Sequence, residues 1–262
     1  MRLTRCFVPA ALAAGSVVAL PEAAALHVTR VLRLRPGAAL TLFDGRGGEF
    51  PARLLEPDAP PDGRSGGRAT VQVEVGEHCA VEREAPLAVT LLQCLARGER
   101  MDWIVQKATE LGVAAIVPLT SRYSVVQLDA AAAARRRAHW QGIATGACEQ
   151  CGRNRVPEVA PLREVEPACA VAAASQPPAL RLLLSAQAAL TLPRALQRSS
   201  GPPRAAPVTL LVGPEGGLAE PELLAAQAHG FLPCSLGPRI LRSETAPIAA
   251  LAAIQAVMGD FQ

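Results

Sequence analysis

Two glycine-bearing loops near the C-terminal end constrain this chain more than any other feature. Gly213-Pro214-Glu215-Gly216-Gly217 follows directly on the apolar run Thr209-Leu210-Leu211-Val212, and Leu236-Gly237-Pro238-Arg239-Ile240-Leu241-Arg242-Ser243-Glu244-Thr245-Ala246 follows Phe231-Leu232. Each reads as the link between a short buried strand and a helix, the place where open α/β sheets hold ligands. Glycine lets the backbone approach a ligand closely, and the N-terminus of the next helix offers free N–H groups. Lying one β-α unit apart, the two loops read as a cofactor pocket. The first is not a P-loop, since no Lys-Ser/Thr pair follows its glycines, and it lacks the G-x-G-x-x-G spacing of a dinucleotide fingerprint.

The rest of the pattern supplies a sheet for these loops. From Leu87 onward apolar runs alternate with helical stretches, the signature of a parallel sheet. Strands are predicted at Leu87–Cys94, Val113–Leu119, Leu180–Leu184, Thr209–Val212 and Phe231–Leu236. Helices are predicted at Met101–Leu111, stopped by Gly112, at Arg135–Cys151, and at Pro221–His229, with a last one capped by Thr245. Ala195–Pro207 reads as a polar, proline-containing loop. Residues 1–80 read mainly as β. A short helix at His27–Arg33 precedes a strand at Leu40–Phe43, the Asp44-Gly45 turn dipeptide and a hairpin partner at Glu49–Leu55, which Pro51 places at a sheet edge. Pro57–Arg68 reads as a mobile loop, and Thr70–Val75 alternates cleanly and closes a small β barrel. With a linker near Arg83, the expected domains are 1–80 and 84–262.

Composition excludes some functions. With 262 residues, 50% hydrophobic and 19% charged, the chain reads as globular and soluble, and a net charge of +3 does not by itself advertise a nucleic-acid binder. Seven scattered cysteines fit a reducing, cytoplasmic setting rather than a disulfide framework. Cys148 and Cys151 form a C-x-x-C, but with no second pair or nearby His they read as helix packing, and no metal site is expected. The apolar segment Val8–Leu20 is broken by Pro9 and Gly15-Ser16 and reads as mature protein rather than a leader. No uninterrupted apolar stretch reaches ~18 residues, so no membrane span is expected.

Among 26 basic residues the only lysine is Lys107, and the only asparagine is Asn154. On the helix at 101–111, Lys107 shares a stripe with Trp103 and Glu110. It reads as a solvated ion pair, or else as an RNA-phosphate contact or a structural brace below the pocket. Arg135-Arg136-Arg137 at a predicted helix start oppose the macrodipole, which an anion such as phosphate would relieve; a solvated face is the other reading. The polar run Cys148-Glu149-Gln150-Cys151-Gly152-Arg153-Asn154-Arg155 offers Arg153 and Asn154 as groups that could bond a base edge or a phosphate.

Taken together, these segments resemble the RsmE family, bacterial methyltransferases of the SPOUT (trefoil-knot) superfamily. The resemblance runs over nearly the whole chain. Its carriers are Arg30-Val31-Leu32-Arg33 with Pro36-Gly37, Leu42-Phe43-Asp44-Gly45, Gln106-Lys107 with Glu110-Leu111-Gly112, Ala147 to Asn154, Gly213 to Gly217 and Leu236 to Ala246. It implies an N-terminal PUA-like β barrel for RNA and a C-terminal α/β domain whose last segment threads a trefoil knot, a topology that sequence physics alone would not propose. It also implies a cytoplasmic homodimer that uses S-adenosylmethionine, without metal, to methylate N3 of one uridine near the 3′ end of 16S rRNA in the small ribosomal subunit. Family members often carry Glu-Arg-Ser after the 113–119 strand. Here the stretch is Ser121-Arg122-Tyr123-Ser124, which leaves open how the arginine is presented, and Tyr123 could stack on a base.

Under that resemblance the cofactor-lining candidates are Leu211, Gly213, Gly217, Leu236, Ile240 and Leu241. Removing the N3 proton of uridine leaves an anion, which a cation at its O2 or O4 edge would stabilise. Arg242 is the first candidate for that role, with Arg153 or Arg122 next. Glu244 could accept the proton, or could cap the final helix beside Thr245. Arg5, Lys107, Arg122 and Asn154 are the candidate RNA contacts. A ribosome assembly factor that has lost methylation, and a knotted enzyme acting on ribose 2′-oxygen or transfer RNA, are the competing readings.

Overall fold

The computed structural model describes residues 4–56, 70–124, 126–198 and 206–261. The predicted loop Pro57–Arg68 lies outside the described residues. The chain forms two compact units, Met1–Glu84 with Cys148–Val156, and Ala85–Ala147 with Pro157–Gln262. Residues 148–156, which a linear division gives to the second domain, thus group with the first.

The first unit contains β1 (Thr4–Phe7), β2 (Val17–Ala19), α1 (Glu22–Leu26) continued by a wider π-type turn over His27–Val31, β3 (Ala39–Phe43), β4 (Phe50–Leu54) and β5 (Gln72–Val75). Its sheet order is β1-β3-β4-β5-β2, with β1 parallel to β3 and the other pairs antiparallel. Alternation in β4, where Phe50, Ala52 and Leu54 are buried, sends one face inward. The two ends of the sheet feed the same core: Cys6 and Val8 from the β1 side meet Val18 from β2 around Leu40, Leu42, Val73 and Val75. This curled sheet is the PUA-like barrel. Pro51 does not mark an edge, because β4 lies between β3 and β5. It is tolerated one rung beyond the last β4–β5 pair, where only its carbonyl is used, accepting from Gly76 N–H at 2.7 Å. The hairpin turn is longer than the Asp44-Gly45 dipeptide suggested, running from Asp44 to Glu49.

Residues 148–156 are held in this unit by polar contacts. The Arg153 guanidinium donates to Glu84 through Nε at 2.9 Å and Nη2 at 2.5 Å. The Asn154 side chain donates to the Val81 carbonyl at 2.6 Å and accepts from Arg5 at 2.5 Å. Glu149 accepts the Phe7 N–H at 2.9 Å. Burial pushes the Glu149 carboxyl above its ordinary value, against that bond and the nearby His27 and Arg5.

The second unit runs β6 (Val89–Cys94), α2 (Arg100–Glu110), β7 (Ala115–Thr120), α3 (Ala130–Cys151, its last turn in the first unit), β8 (Glu158–Val159), β9 (Arg163–Glu164), α4 (Val165–Ala174), β10 (Leu180–Leu184), α5 (Leu192–Arg198), β11 (Val208–Val212), α6 (Glu220–Ala228), β12 (Leu232–Cys234) and α7 (Thr245–Met258). The strands are parallel in the order β12-β10-β11-β6-β7-β8, with β9 also on β7. All five residues of the central β11 are buried, as a strand covered on both faces requires. On one face Leu92, Leu119, Leu183 and Leu211 pack with Val165, Ala168, Ala226 and Phe231, each fully buried leucine contributing about 1.5–3 kcal/mol. This parallel sheet with its packed helices is the expected C-terminal α/β domain.

Three local expectations change. Residues 195–198 belong to α5 rather than a loop, and 199–205 lie outside the described residues. The helix α3 starts at Ala130, where Asp129 accepts the Ala132 N–H at 2.7 Å. The Arg135–Arg137 run therefore lies beyond the first turn, clear of most of the macrodipole penalty, and Arg137 bonds the Val159 carbonyl at 2.8 Å. Thr245 does not cap α7: it is the first helical residue, Glu244 precedes it, and no side chain closes the cap.

Candidate active site

The carboxyl ends of β10, β11 and β12 converge on a cavity of about 380 Å³. Three segments supply its lining: Leu184–Gln187, Val212–Leu218 and part of the run from Cys234 to Ala246, in which Arg242 and Glu244 are not among the lining residues. The β11 and β12 loops are the two glycine segments of the sequence. The third has no glycine signal, and only the parallel register of β10 on β11, Leu184 opposite Val212, brings it to the same edge.

Glycine is required at specific points of this wall. Gly217 and Gly237 have φ of +74° and +93°, which L side chains adopt only with strain. At Gly213 a Cβ would sit 3.3 Å from Leu218 Cγ, a tight approach that Leu218 would have to ease by moving slightly.

Of the predicted cofactor residues, Gly213, Gly217, Leu236, Ile240 and Leu241 line the cavity. Leu211 does not: it lies fully buried in the core below. Ile240 is 89% exposed, an unusual setting for an apolar side chain. Arg242 is exposed, and its guanidinium has no partner among the described residues. Glu244 lies 3.2 Å from the Ser243 hydroxyl, whose single proton it shares with Glu215, and pairs with Arg100 at 3.6 Å.

The sequence reading missed Glu215 as an organising group. Its carboxylate accepts the Arg97 N–H at 3.4 Å, the Arg100 guanidinium at 2.9 Å and the Ser243 hydroxyl at 3.2 Å, joining the start of α2 to both glycine loops. Burial acts to raise its carboxyl, but these donors and its own backbone N–H outweigh that and hold it below the usual carboxylate value. One signal was legible, since Glu215 is the only charged residue within its glycine loop; that Arg100 opens α2, where a cation gains from an acidic partner, comes from the structure.

The remaining predicted residues are placed elsewhere. Arg153, offered for catalysis, is 5% exposed in the first unit with Glu84. Asn154 is fully buried on Val81 and Arg5. Arg5 itself is paired with Glu49, donates to the Arg153 carbonyl at 3.2 Å and lies 4.9 Å over the Phe43 ring, so it has no surface to offer RNA. These three polar groups build the first unit, since a buried cation must be paired to be tolerated. Lys107 pairs with Glu110 at 2.8 Å and stands 4.9 Å over the Trp103 ring, the ion-pair reading of its stripe. Arg122 is exposed, with its backbone N–H held by Glu222 at 2.8 Å. Cys148 is buried, its thiol on the Arg155 carbonyl at 3.6 Å, and all seven cysteines are free. No helix among the described residues is long and apolar enough to cross a membrane.

A curled PUA-like sheet with a glycine-walled α/β domain defines the class, an RNA methyltransferase of the SPOUT kind, and known proteins agree. Residues 83–255 match the RNA methyltransferase domain family and residues 20–59 the RNA methyltransferase PUA domain family. The chain is 30% identical over 259 residues to the ribosomal RNA small subunit methyltransferase E of Buchnera aphidicola, covering 99% of this chain and 98% of that one. It superposes on the Neisseria gonorrhoeae ribosomal RNA small subunit methyltransferase E, solved with S-adenosyl methionine, with a TM-score of 0.84 and 37% identity over 100% of both chains. A Legionella pneumophila structure described as a methyltransferase with bound cofactor SAM gives a TM-score of 0.87 and 36% identity, covering 99% of this chain and 100% of that one. The chain belongs to the RsmE family, the ribosomal RNA small subunit methyltransferases E.

Proposed function

We propose that this protein transfers a methyl group from S-adenosylmethionine to N3 of one uridine near the 3′ end of 16S rRNA, in the small ribosomal subunit. The observation that carries the reading is the glycine-walled cavity at the ends of β10, β11 and β12, in a chain of the RsmE family. Its volume of about 380 Å³ falls in the range of small-molecule sites. Gly213, Gly217 and Gly237 expose backbone groups suited to the edge of an adenine, and Leu236 and Leu241 offer apolar surface for its faces, so the residues present fit the cofactor.

When bound, S-adenosylmethionine supplies an electrophilic methyl carbon. This chain's residues supply position and charge. Arg242, exposed and unpartnered among the described residues, is assigned to the O2 or O4 edge of the base, where its charge stabilises the anion left by loss of the N3 proton. Glu244 is assigned as the acceptor of that proton, and Arg100 fixes its position from α2. Arg122 is assigned to the RNA backbone. The 1–80 barrel is assigned to RNA recognition through surfaces other than Arg5, and the 84–262 region to methyl transfer. The protein is read as a cytoplasmic homodimer, in which the exposed Ile240 on the cavity rim is a side chain that a second protomer would cover.

The test is methylation of unmodified small ribosomal subunits with labelled S-adenosylmethionine, read by reverse transcription. An N3 methyl blocks the Watson–Crick edge, so a single cofactor-dependent stop near the 3′ end is expected. Label without a stop would point to ribose methylation. Absence of both label and cofactor binding would leave the assembly-factor reading.

A further inference from the structure

The loop after β7 carries the chain's single tyrosine, and the fold holds its ring outward at the edge of the cavity wall. Residues 121–124 form a closed turn. The Ser124 N–H donates to the Ser121 carbonyl at 3.0 Å, the Ser121 N–H donates to the Ser124 hydroxyl at 3.0 Å, and the two hydroxyls lie 2.9 Å apart. The turn is fastened by one hydrogen bond to the segment that follows β11, through a glutamate that is itself held in place. The Arg122 N–H donates to Glu222 Oε1 at 2.8 Å, while Glu222 Oε2 accepts the Ala219 N–H at 2.8 Å at the start of α6. Tyr123 itself lies against Gly216, where a Cβ would fall 3.3 Å from Tyr123 Cβ and 3.9 Å from Cγ. Gly216 is part of the cavity wall. Glycine there lets the tyrosine approach the β11 loop closely.

Despite this fixed backbone, Tyr123 is 52% exposed, and neither its ring nor its hydroxyl pairs with another side chain among the described residues. A turn with so many hydrogen bonds has little backbone freedom left to lose, so it presents an aromatic face at low entropic cost. Arg122 beside it is exposed as well, which sets a cation next to the ring.

We propose that Tyr123 is a substrate-positioning residue: its ring stacks on the target uracil, or on the base next to it, and holds it at the cavity mouth. This rests on the base-methylation reading above. An enzyme acting on a base edge must take that base out of its stack, and a fixed aromatic surface replaces part of the stacking lost.

The experiment compares Tyr123→Phe and Tyr123→Ala with the unaltered full chain. Methylation of unmodified small subunits is followed as separate kcat and KM, and S-adenosylmethionine affinity is measured by calorimetry. Loss of stacking in Tyr123→Ala is expected to lower kcat/KM about 10- to 100-fold, with cofactor affinity within about twofold. Tyr123→Phe should keep activity within about threefold, since it keeps the ring. Three results would overturn the proposal: Tyr123→Ala with unchanged kcat/KM, Tyr123→Phe as damaged as Tyr123→Ala, or a loss of cofactor affinity that matches the loss of activity. A reverse-transcription stop with the unaltered chain keeps the base-methylation reading intact whatever the variants do. If the unaltered chain gives no stop, that reading and the stacking role fail together.

Discussion

The Ser243 hydroxyl lies 3.2 Å from the Glu215 carboxylate, linking two loops 28 residues apart in the chain. Arg100 completes the link with its bond to the same Glu215 oxygen at 2.9 Å. This three-way contact to the first turn of α2 fixes how far apart the two loops stand, and so fixes the shape of the cavity.

Glu215→Gln should therefore weaken S-adenosylmethionine binding and reduce stability by about 1 kcal/mol, the scale of a partly exposed charge-assisted contact. The carboxyl of Glu215 is held below its ordinary value, so its stabilising share is full above the unfolded-state pKa of ~4.3 and is lost as pH falls through the folded value. Urea midpoints of the two proteins should differ at pH 7 and converge at acid pH. A difference that stayed constant with pH would count against the ionic account.

At Gly217 the backbone has φ +74° and no atom lies within 4 Å of where a Cβ would stand, so a side chain there meets strain rather than a clash. Gly217→Ala is expected to cost roughly 1–2 kcal/mol or to shift the loop, lowering cofactor affinity in either case. Calorimetric titration beside a thermal melt separates the two. Unaltered affinity together with unaltered stability would show that the left-handed conformation is not needed.

Arg153 and Arg242 should separate cleanly. Arg153→Ala leaves Glu84 without its buried partner and should destabilise the protein by about 3–5 kcal/mol. Arg242→Ala removes an exposed group and should change stability by no more than about 0.5 kcal/mol. Its methyl-transfer rate should fall about 10²–10³-fold if Arg242 stabilises the developing anion. Denaturant unfolding and single-turnover methylation read the two effects separately, and an active, destabilised Arg242→Ala would reverse the assignment.

Lys107→Met keeps the stem over Trp103 but removes the charge. A partly exposed pair with Glu110 predicts a loss below about 1 kcal/mol and unchanged methylation of small subunits. A rise in KM for the subunit would instead restore the RNA-contact reading of this lysine.

Much of the architecture is legible in the residues alone. Near-continuous apolar runs at Leu180–Leu184 and Val208–Val212 can be strands only in a sheet covered on both faces, and Gly112 stops α2 at φ +80° as its position implies. The start of α3 escapes such a reading because Ala130–Ala134 has no apolar periodicity, although alanine is the strongest helix former. Pro51 misleads because a proline's lost N–H matters only where a neighbouring strand would use it, and strand order is not written in a hairpin.

The sequence by itself determined the local chemistry of this protein. Apolar patterning set its strands and helices, and glycines set the turns that need left-handed backbone or close approach, because such constraints act within a few residues. Which polar groups serve the site and which serve the frame was decided only by the tertiary structure. Arg5, Arg153 and Asn154 look like recognition groups as letters, yet burial obliges each to find a partner within the first unit. Glu215 looks like a loop residue, yet the approach of the loops after β11 and β12 to the start of α2 makes it the joint of the cavity. Pairing between distant residues depends on where the backbone has already gone, and that is a property of the whole fold.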